Sequence, residues 1–334
     1  RRAAVPGWGI PTATDIAFAV GILSILGDRV PVSLKVFLTA LAIADDLIAI
    51  LVVALFYGGT INFGLLSIAF VLIALVLLMN KLGEKRGWFY LVPAIAIWSL
   101  FYYAGIHSTM SGVVMAFLVP MTPRFNEAYF HRKRLQYIRR LNEYNGIAST
   151  SSEFPNGPQR HCLRRLSAIS RDSIGMSYRL EHALGPWVNF LIMPIFALAN
   201  AGVEIPDVSY FNVFQFDQVL GSVSMGIFLG LVLGKPLGIS LASFIAVKLH
   251  VGEMPAKSTW PMLIAVACLG GIGFTMSIFV DTLSFGDQTP EVMARLRDMG
   301  KVAVLMGSLC AGILGSVLIN IIHGIESRKS VVKA

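Results

Sequence analysis

The fold class predicted for this chain is all-α and polytopic, spanning a membrane many times, and three observations predict it. The 334 residues are 55% hydrophobic with only 14% charged and a mean hydropathy of +0.71, whereas soluble domains carry about 25% charged residues. Apolar runs of the roughly 17–25 residues that cross a bilayer as helix recur along the chain. Asp45 and Asp46 stand side by side in the middle of one such run, Leu38 to Leu55. A charge at the centre of a membrane helix costs about 2.5–3.5 kcal/mol on insertion scales, so an ionised, unpaired pair costs on the order of 5–7 kcal/mol. A pair kept at that cost marks a buried ion or proton site. Capping carboxylates in a soluble core are the bland alternative, and the composition argues against them.

Nine candidate spans follow in order: 4–26, 32–57, 61–80, 88–104, 106–121, 183–202, 219–249, 260–284 and 300–323. The first is interrupted between Gly9 and Phe18, where Pro11 removes a backbone donor and disfavours helix before it. Thr12, Thr14 and Asp15 can bond the freed backbone groups there. The second carries the aspartate pair. The fourth and fifth are short and nearly contiguous around Tyr103 to Gly105. The seventh holds Lys235 among glycines and leucines. The eighth is interrupted by Gly270, Gly271 and Gly273, three glycines in four positions, which weaken a helix.

Loop charge orients these spans. One side collects Arg29, then Lys81, Lys85 and Arg86, the long 122–182 segment, Lys257, and Arg328, Lys329 and Lys333. The long segment includes Arg124, Arg132, Lys133, Arg134, Arg139, Arg140, Arg160, Arg164, Arg165, Arg171 and Arg179. The other side has Gly58 to Thr60, His107, an acidic stretch from Glu204 to Asp217, and Arg295 and Arg297, and Arg1 and Arg2 at the start of the sequence also fall there. Lys and Arg concentrate on the cytoplasmic side, so the long segment and the C-terminus are expected there. Residues 1–121 then hold five spans and the acidic core, 122–182 a basic cytoplasmic loop, 183–323 four spans, and 324–334 a cytoplasmic tail. Within the loop, Phe125 to Tyr144 is charged and aromatic and suits an amphipathic helix, and Ser149 to Gly157 reads as a linker. A solvated loop is favoured there over contact with anionic lipid headgroups.

The net charge of +8 lies mostly between apolar spans, which argues against nucleic acid as partner. Cys162, Cys268 and Cys310 have no metal-ligand spacing, and the two in apolar spans read as packing residues. Residue 1 is Arg and the first methionine is Met79, after the aspartate pair. Further sequence is therefore expected before Arg1.

Broken backbone at membrane depth survives only where protein or a watery cavity satisfies it. Two interrupted spans in corresponding parts of a repeat point to a transporter binding site. Lys235 cannot readily snorkel from mid-span and needs an acid, or the carbonyl ends of half-helices. Asp45 or Asp46 is its natural partner. Adjacent helical residues point about 100° apart, so one aspartate can meet Lys235 while the other faces an ion path. Carboxylate oxygens suit a hard cation and also bind protons, so the two can compete.

At this point the chain resembles the NhaA-type sodium/proton antiporters over nearly its whole length except the long loop. The resemblance rests on Ala13 to Phe18, Ala40 to Leu47, Gly234 to Ser240 and Gly271 to Phe279. It implies an inverted-repeat transporter fold of twelve helices with two broken, crossing helices, three of them preceding Arg1. It implies no enzyme activity and no cofactor, with Na+, Li+ and H+ as transported ions and export of Na+ in exchange for H+. Asp46 matches the principal cation and proton carboxylate and Asp45 its acidic neighbour, so both would bind Na+. Asp15, with Thr14, matches the acid facing the positive ends of the broken helices, and Lys235 the lysine balancing the negative ends. Glu181 and His182 match a segment linked to pH response, although Gly185 stands where relatives can carry a second histidine. The resemblance also implies the bacterial inner membrane, and a homodimer is a candidate assembly whose pairing hairpin would precede Arg1. Asp281 is an extra acid expected near the aqueous end of its span. His107 reads as structural.

Two other classes compete. An intramembrane aspartyl-type enzyme needs two acids at short range, which Asp15 and Asp46 could imitate, but it explains neither the paired breaks nor Lys235. A passive cation channel explains the acids but not the buried lysine.

Overall fold

Backbone polar groups in a bilayer have to be satisfied within the chain, and helices do so segment by segment. The computed structural model describes residues 2–56, 61–84, 86–123, 127–147, 157–202, 218–284 and 290–333, and these contain helices and turns with no strand. A 3₁₀ segment, Arg2–Thr12, precedes α1 (Ile16–Leu26) and α2 (Val32–Phe56). There follow α3 (Phe63–Lys81), α4 (Trp88–Ala104), α5 (Thr109–Leu118), α6 (Glu127–Ile147), α7 (Gly157–Asp172) and α8 (Met176–Trp187). The last six are α9 (Met193–Ala201), α10 (Gln218–Leu229), α11 (Lys235–Lys248), α12 (Trp260–Leu269), α13 (Phe274–Ser284) and α14 (Pro290–Lys333). A π turn, Val188–Ile192, joins α8 to α9, and another, Gly230–Gly234, joins α10 to α11.

The chain divides into two compact units, Arg1–Gly58 with Ile192–Ala334, and Gly59–Leu191. In the first, Leu23 of α1, Leu34 and Leu38 of α2, Leu263, Val266 and Leu269 of α12 and Ile319 of α14 form one buried cluster. Ile10, Ile227, Leu231, Ile278, Leu296 and Val304 form a second. Glycines on α14 let its neighbours approach. Gly307 lies against Leu231, Gly312 against Ile22 and Ile272, and Gly315 against Leu269 and the carbonyl of Ala265. Large apolar side chains such as Val32, Val36, Ile43 and Leu51 on α2 stay exposed, as a lipid-facing surface requires.

In the second unit α3, α4 and α5 bury Ala69, Val76, Tyr90, Ile97, Phe101, Met115 and Leu118 against one another. Asn62 starts α3 by accepting from the Gly64 and Leu65 amides, and its own amide donates to the Ala104 carbonyl at 2.9 Å. Gly105 closes α4 with a left-handed φ of 81°, a conformation glycine adopts without strain. α6 packs along α7, burying Cys162 and Ile169 of the latter.

The structure revises several sequence boundaries. Among the described residues six helical runs are long and apolar enough to cross a membrane, and the pair α12–α13, bent by 52°, makes up to seven. The predicted fifth span, 106–121, is only the ten-residue α5. At 1.5 Å per residue it covers about 15 Å, roughly half the hydrocarbon core. The turn after Gly105 and Pro120 at its far side trim it. The predicted sixth span begins at Met176 rather than 183, in a continuous run from Met176 to Asn200. The last begins at Pro290 and absorbs the predicted tail into a helix of 44 residues. The described residues of the loop before Met176 hold two helices, α6 and α7, and the sequence pattern predicts only the first. Gly58 to Thr60, Lys85, Arg124, residues 149–156 and the acidic stretch 204–217 lie outside the described residues.

A Cβ at Gly315 would fall 2.8 Å from Leu269 Cγ. Gly315→Ala is expected to destabilise the first unit by about 1–3 kcal/mol, the usual cost of overpacking. Gly324→Ala, with nothing within 4 Å, is the control that should hold or gain stability. Thermal unfolding in detergent measures both, and equal midpoints would show that α12 and α14 are not closely packed.

Candidate functional site

Two chain breaks meet inside the first unit. Residues 13–15 leave the helix between the 3₁₀ segment and α1, with Asp15 extended, and residues 270–273 separate α12 from α13. Pro11 ends regular helix on one side of the first break. On the other side the Asp15 side chain caps α1 by accepting from the Phe18 amide at 3.2 Å. In the second break Gly271 lies so close to the Leu231 carbonyl that a Cβ would collide with it. The breaks bond to each other. The Asp15 amide donates to the Ile272 carbonyl at 2.6 Å, and Thr14 Oγ1 lies 2.9 Å from the Gly270 carbonyl. Each break thus satisfies groups the other leaves free, which is the condition for irregular backbone at this depth.

Asp15, 0% exposed, serves two helix starts at once. While Oδ1 caps α1, Oδ2 accepts from the Thr275 amide at 3.0 Å and from the Thr275 hydroxyl. A helix N-terminus carries about +0.5 charge, so one carboxylate faces two positive ends. Ser308 of α14 completes the start of α13, its Oγ accepting from the Gly273 and Phe274 amides at 3.2 Å each.

Beside this crossing stand the aspartates and the lysine. Lys235 Nζ lies 2.8 Å from Asp45 Oδ2 and also donates to Thr14 Oγ1. Thr14 Oγ1 is in turn 2.9 Å from Asp45 Oδ2 and the same distance from the Gly270 carbonyl. A hydroxyl has one proton, so Thr14 serves one of these acceptors at a time. Lys235 reaches the group from the end of the π turn, whose signature is the Lys235 amide bonding back to the Gly230 carbonyl. Pro236 follows without an amide hydrogen. Such π turns often mark functional positions. Asp46 points elsewhere, as the helical step of about 100° demands. Its Oδ1 is buried and has no hydrogen-bond partner among the described residues.

The structure therefore brings together Thr14, Asp15, Asp45, Asp46, Lys235, Gly270, Gly271 and Gly273. Glu181 and His182 do not belong to this unit. Both are exposed on α8 in the second unit, where His182 meets the Tyr178 ring edge-on with centroids 4.2 Å apart. Sequence reasoning missed Thr275 and Ser308. Each is a hydroxyl in an apolar run, and only its partner in the fold distinguishes it from the others. Asp281, expected near the aqueous end of its span, lies three residues before the end of α13 and is 0% exposed.

Comparison with known proteins places this geometry in context. A family model described as Na+/H+ antiporter 1 matches residues 1–319. A Na+/H+ antiporter NhaA of Syntrophobacter fumaroxidans is 39% identical over 313 residues, 93% of this chain and 64% of the relative. One from Bacteroides thetaiotaomicron is 39% identical over 97% of this chain and 70% of its own length. One from Shigella dysenteriae is 37% identical over 92% of this chain and 65% of its own. The chain thus spans about two thirds of the length of the relatives it matches, and slightly less for two of these three.

Thr14→Val, nearly isosteric, removes the hydroxyl shared by Lys235, Asp45 and Gly270. It should lower stability by about 1–3 kcal/mol, because buried partners lose a hydrogen bond, while Thr14→Ser should hold. A Thr14→Val midpoint equal to the parent's in detergent unfolding would show that the hydroxyl does not tie the two breaks.

Proposed function

Because the chain belongs to the Na+/H+ antiporter 1 family, we propose that it is a multi-pass membrane carrier that exports Na+, or Li+, in exchange for H+. One observation supports this above the rest. Asp45 is held by Lys235 and Thr14, while its neighbour Asp46 keeps a buried oxygen without a donor beside two crossed helix breaks. Asp46 is the principal binding group, and Asp45 the second carboxylate that completes the cation site. A hard monovalent cation takes carboxylate, hydroxyl and carbonyl oxygens, and these side chains and the broken backbone supply all three.

Protons and Na+ compete for the same carboxylates. At low pH protons occupy them and Na+ is excluded. As pH rises the carboxylates are freed, Na+ binds, and the protons leave. Lys235 balances the ionised pair and the carbonyl end of α12, and Asp15 balances the positive ends of α1 and α13. Gly270, Gly271 and Gly273 keep the second break narrow enough for this crossing. Movement of the broken segments would then expose the site to one side of the membrane at a time.

The excess of Lys and Arg in the 122–182 segment and the short loops on its side supports a cytoplasmic place for that segment and the C-terminus, and the family resemblance supports a bacterial inner-membrane setting. Glu181 and His182, exposed on α8, are then candidate groups for a cytoplasmic pH response. A homodimer fits the resemblance and is tested by crosslinking.

In sealed vesicles, a Na+ gradient should drive proton movement in the opposite direction. Asp46→Asn is expected to abolish it and Asp45→Asn to reduce it at least tenfold, with both variants inserted normally. Apparent Na+ affinity should rise with pH, and Lys235→Ala should displace that profile. Na+ flux without counter-movement of protons would point instead to a passive channel. An apparent Na+ affinity that does not change with pH would remove the competition mechanism.

A further inference from the structure

α13 carries a second acid that the exchange site leaves unused. Asp281 is 0% exposed, and neither carboxylate oxygen has a hydrogen-bond partner among the described residues. It rests in a notch on α14 made by Gly300, where a Cβ would fall 2.8 Å from Asp281 Cγ and 3.0 Å from Oδ2. The charged groups of α14 that act on it are Lys301, Arg297 and Asp298. Both cations spend their hydrogen bonds on backbone. Arg297 Nη2 donates to the Thr282 carbonyl at 2.8 Å, and Lys301 Nζ to the Gly202 carbonyl at 2.8 Å. The Arg297 Nε is buried without an acceptor. Of the other elements packed on α13, α9 has no titratable side chain, nor do residues 7–12 of the 3₁₀ segment, while α2 brings Asp45 and Asp46.

One turn before Asp281, Ser277 is 0% exposed, and its Oγ also lacks a partner among the described residues. Ser284, three residues beyond, is buried too. Positions 277, 281 and 284 share one helix face. A polar line therefore runs along α13 away from the end that Asp15 caps. A sealed carboxylate with neither donors nor a contacting cation is costly and takes a proton or a partner instead.

We propose that Asp281 is a second proton-binding site of this protein, loaded and emptied independently of the Asp45–Asp46 cation site. In the arrangement seen, the carboxyl group holds its proton. Release leaves a carboxylate and sends H+ to water along the Ser277–Ser284 face. Arg297 or Lys301 then neutralises the carboxylate by giving up its backbone carbonyl. No electrons move, and the only bond broken is the carboxyl O–H. The part this proton plays in transport rests on the exchange reading, but the existence of the site does not.

A membrane-soluble carbodiimide tests the site in the full chain, because it adds only to carboxyl groups that hold a proton and leaves a stable N-acylurea. Mass spectrometry of the α13 peptide should find the adduct on Asp281 at acidic pH, falling as pH rises. Saturating Na+ should leave that labelling unchanged while suppressing labelling of Asp46. No adduct on Asp281 at any pH, labelling that ignores pH, or Na+ protection of Asp281 equal to that of Asp46 would each overturn the proposal. In vesicles, Asp281→Asn should shift the pH profile of exchange relative to the parent. If the parent shows no exchange, the exchange reading has failed and the labelling still decides the site.

Discussion

The crossing of two broken helices is the constraint from which the first unit follows. A helix interrupted inside a bilayer leaves amide and carbonyl groups that no water satisfies. Here the groups freed by one interruption are partners for the other. The Asp15 amide takes the Ile272 carbonyl, the Thr14 hydroxyl reaches the Gly270 carbonyl, and the Asp15 carboxylate takes the start of α13 as well as that of α1. The unit depends on close approach at this point, and glycine at 271 is what allows the Leu231 carbonyl to come near.

Close approach also explains the character of α14. It passes both clusters of the unit and presents Gly300, Gly307, Gly312 and Gly315 to its neighbours, each against a side chain that a Cβ would crowd. Between them Ser308 caps the start of α13. Helices that associate in lipid gain little from hydrophobic burial, so small residues and short hydrogen bonds carry the packing. The same helix therefore sets the position of the half-helix whose first amides meet Asp15.

Charge is distributed so that each group has one task. Asp15 faces two positive helix ends and is sealed. Asp45 is tied to Lys235 in a pair that is only partly exposed, with side chains at 21% and 11%. Breaking one half of such a pair leaves an uncompensated charge, so the pair is a fixed reference for its surroundings. Asp46, one residue along the same helix, is left with an unpartnered oxygen. The exchange reading draws on this asymmetry between neighbours rather than on the mere presence of two acids.

The sequence by itself determined the membrane class, the two interrupted spans and the acids and lysine within them. Those follow from local cost: apolar runs of bilayer length, glycines and prolines that weaken helix, and charges that lipid penalises wherever they stand. The sequence also determined that Asp45 and Asp46 face different ways, because helical pitch requires it. Only the tertiary structure decided which of them meets Lys235, since that depends on where a π turn on a distant segment delivers the ammonium group. It alone revealed Ser308 as a cap of α13 and Thr275 as a donor to Asp15, because hydroxyls in apolar runs look alike until their partners are known. It shortened α5 and lengthened α14, where turns and packing outweigh hydropathy. And it showed Asp281 sealed in a notch, because the room for that carboxylate is made by Gly300, a residue on another helix.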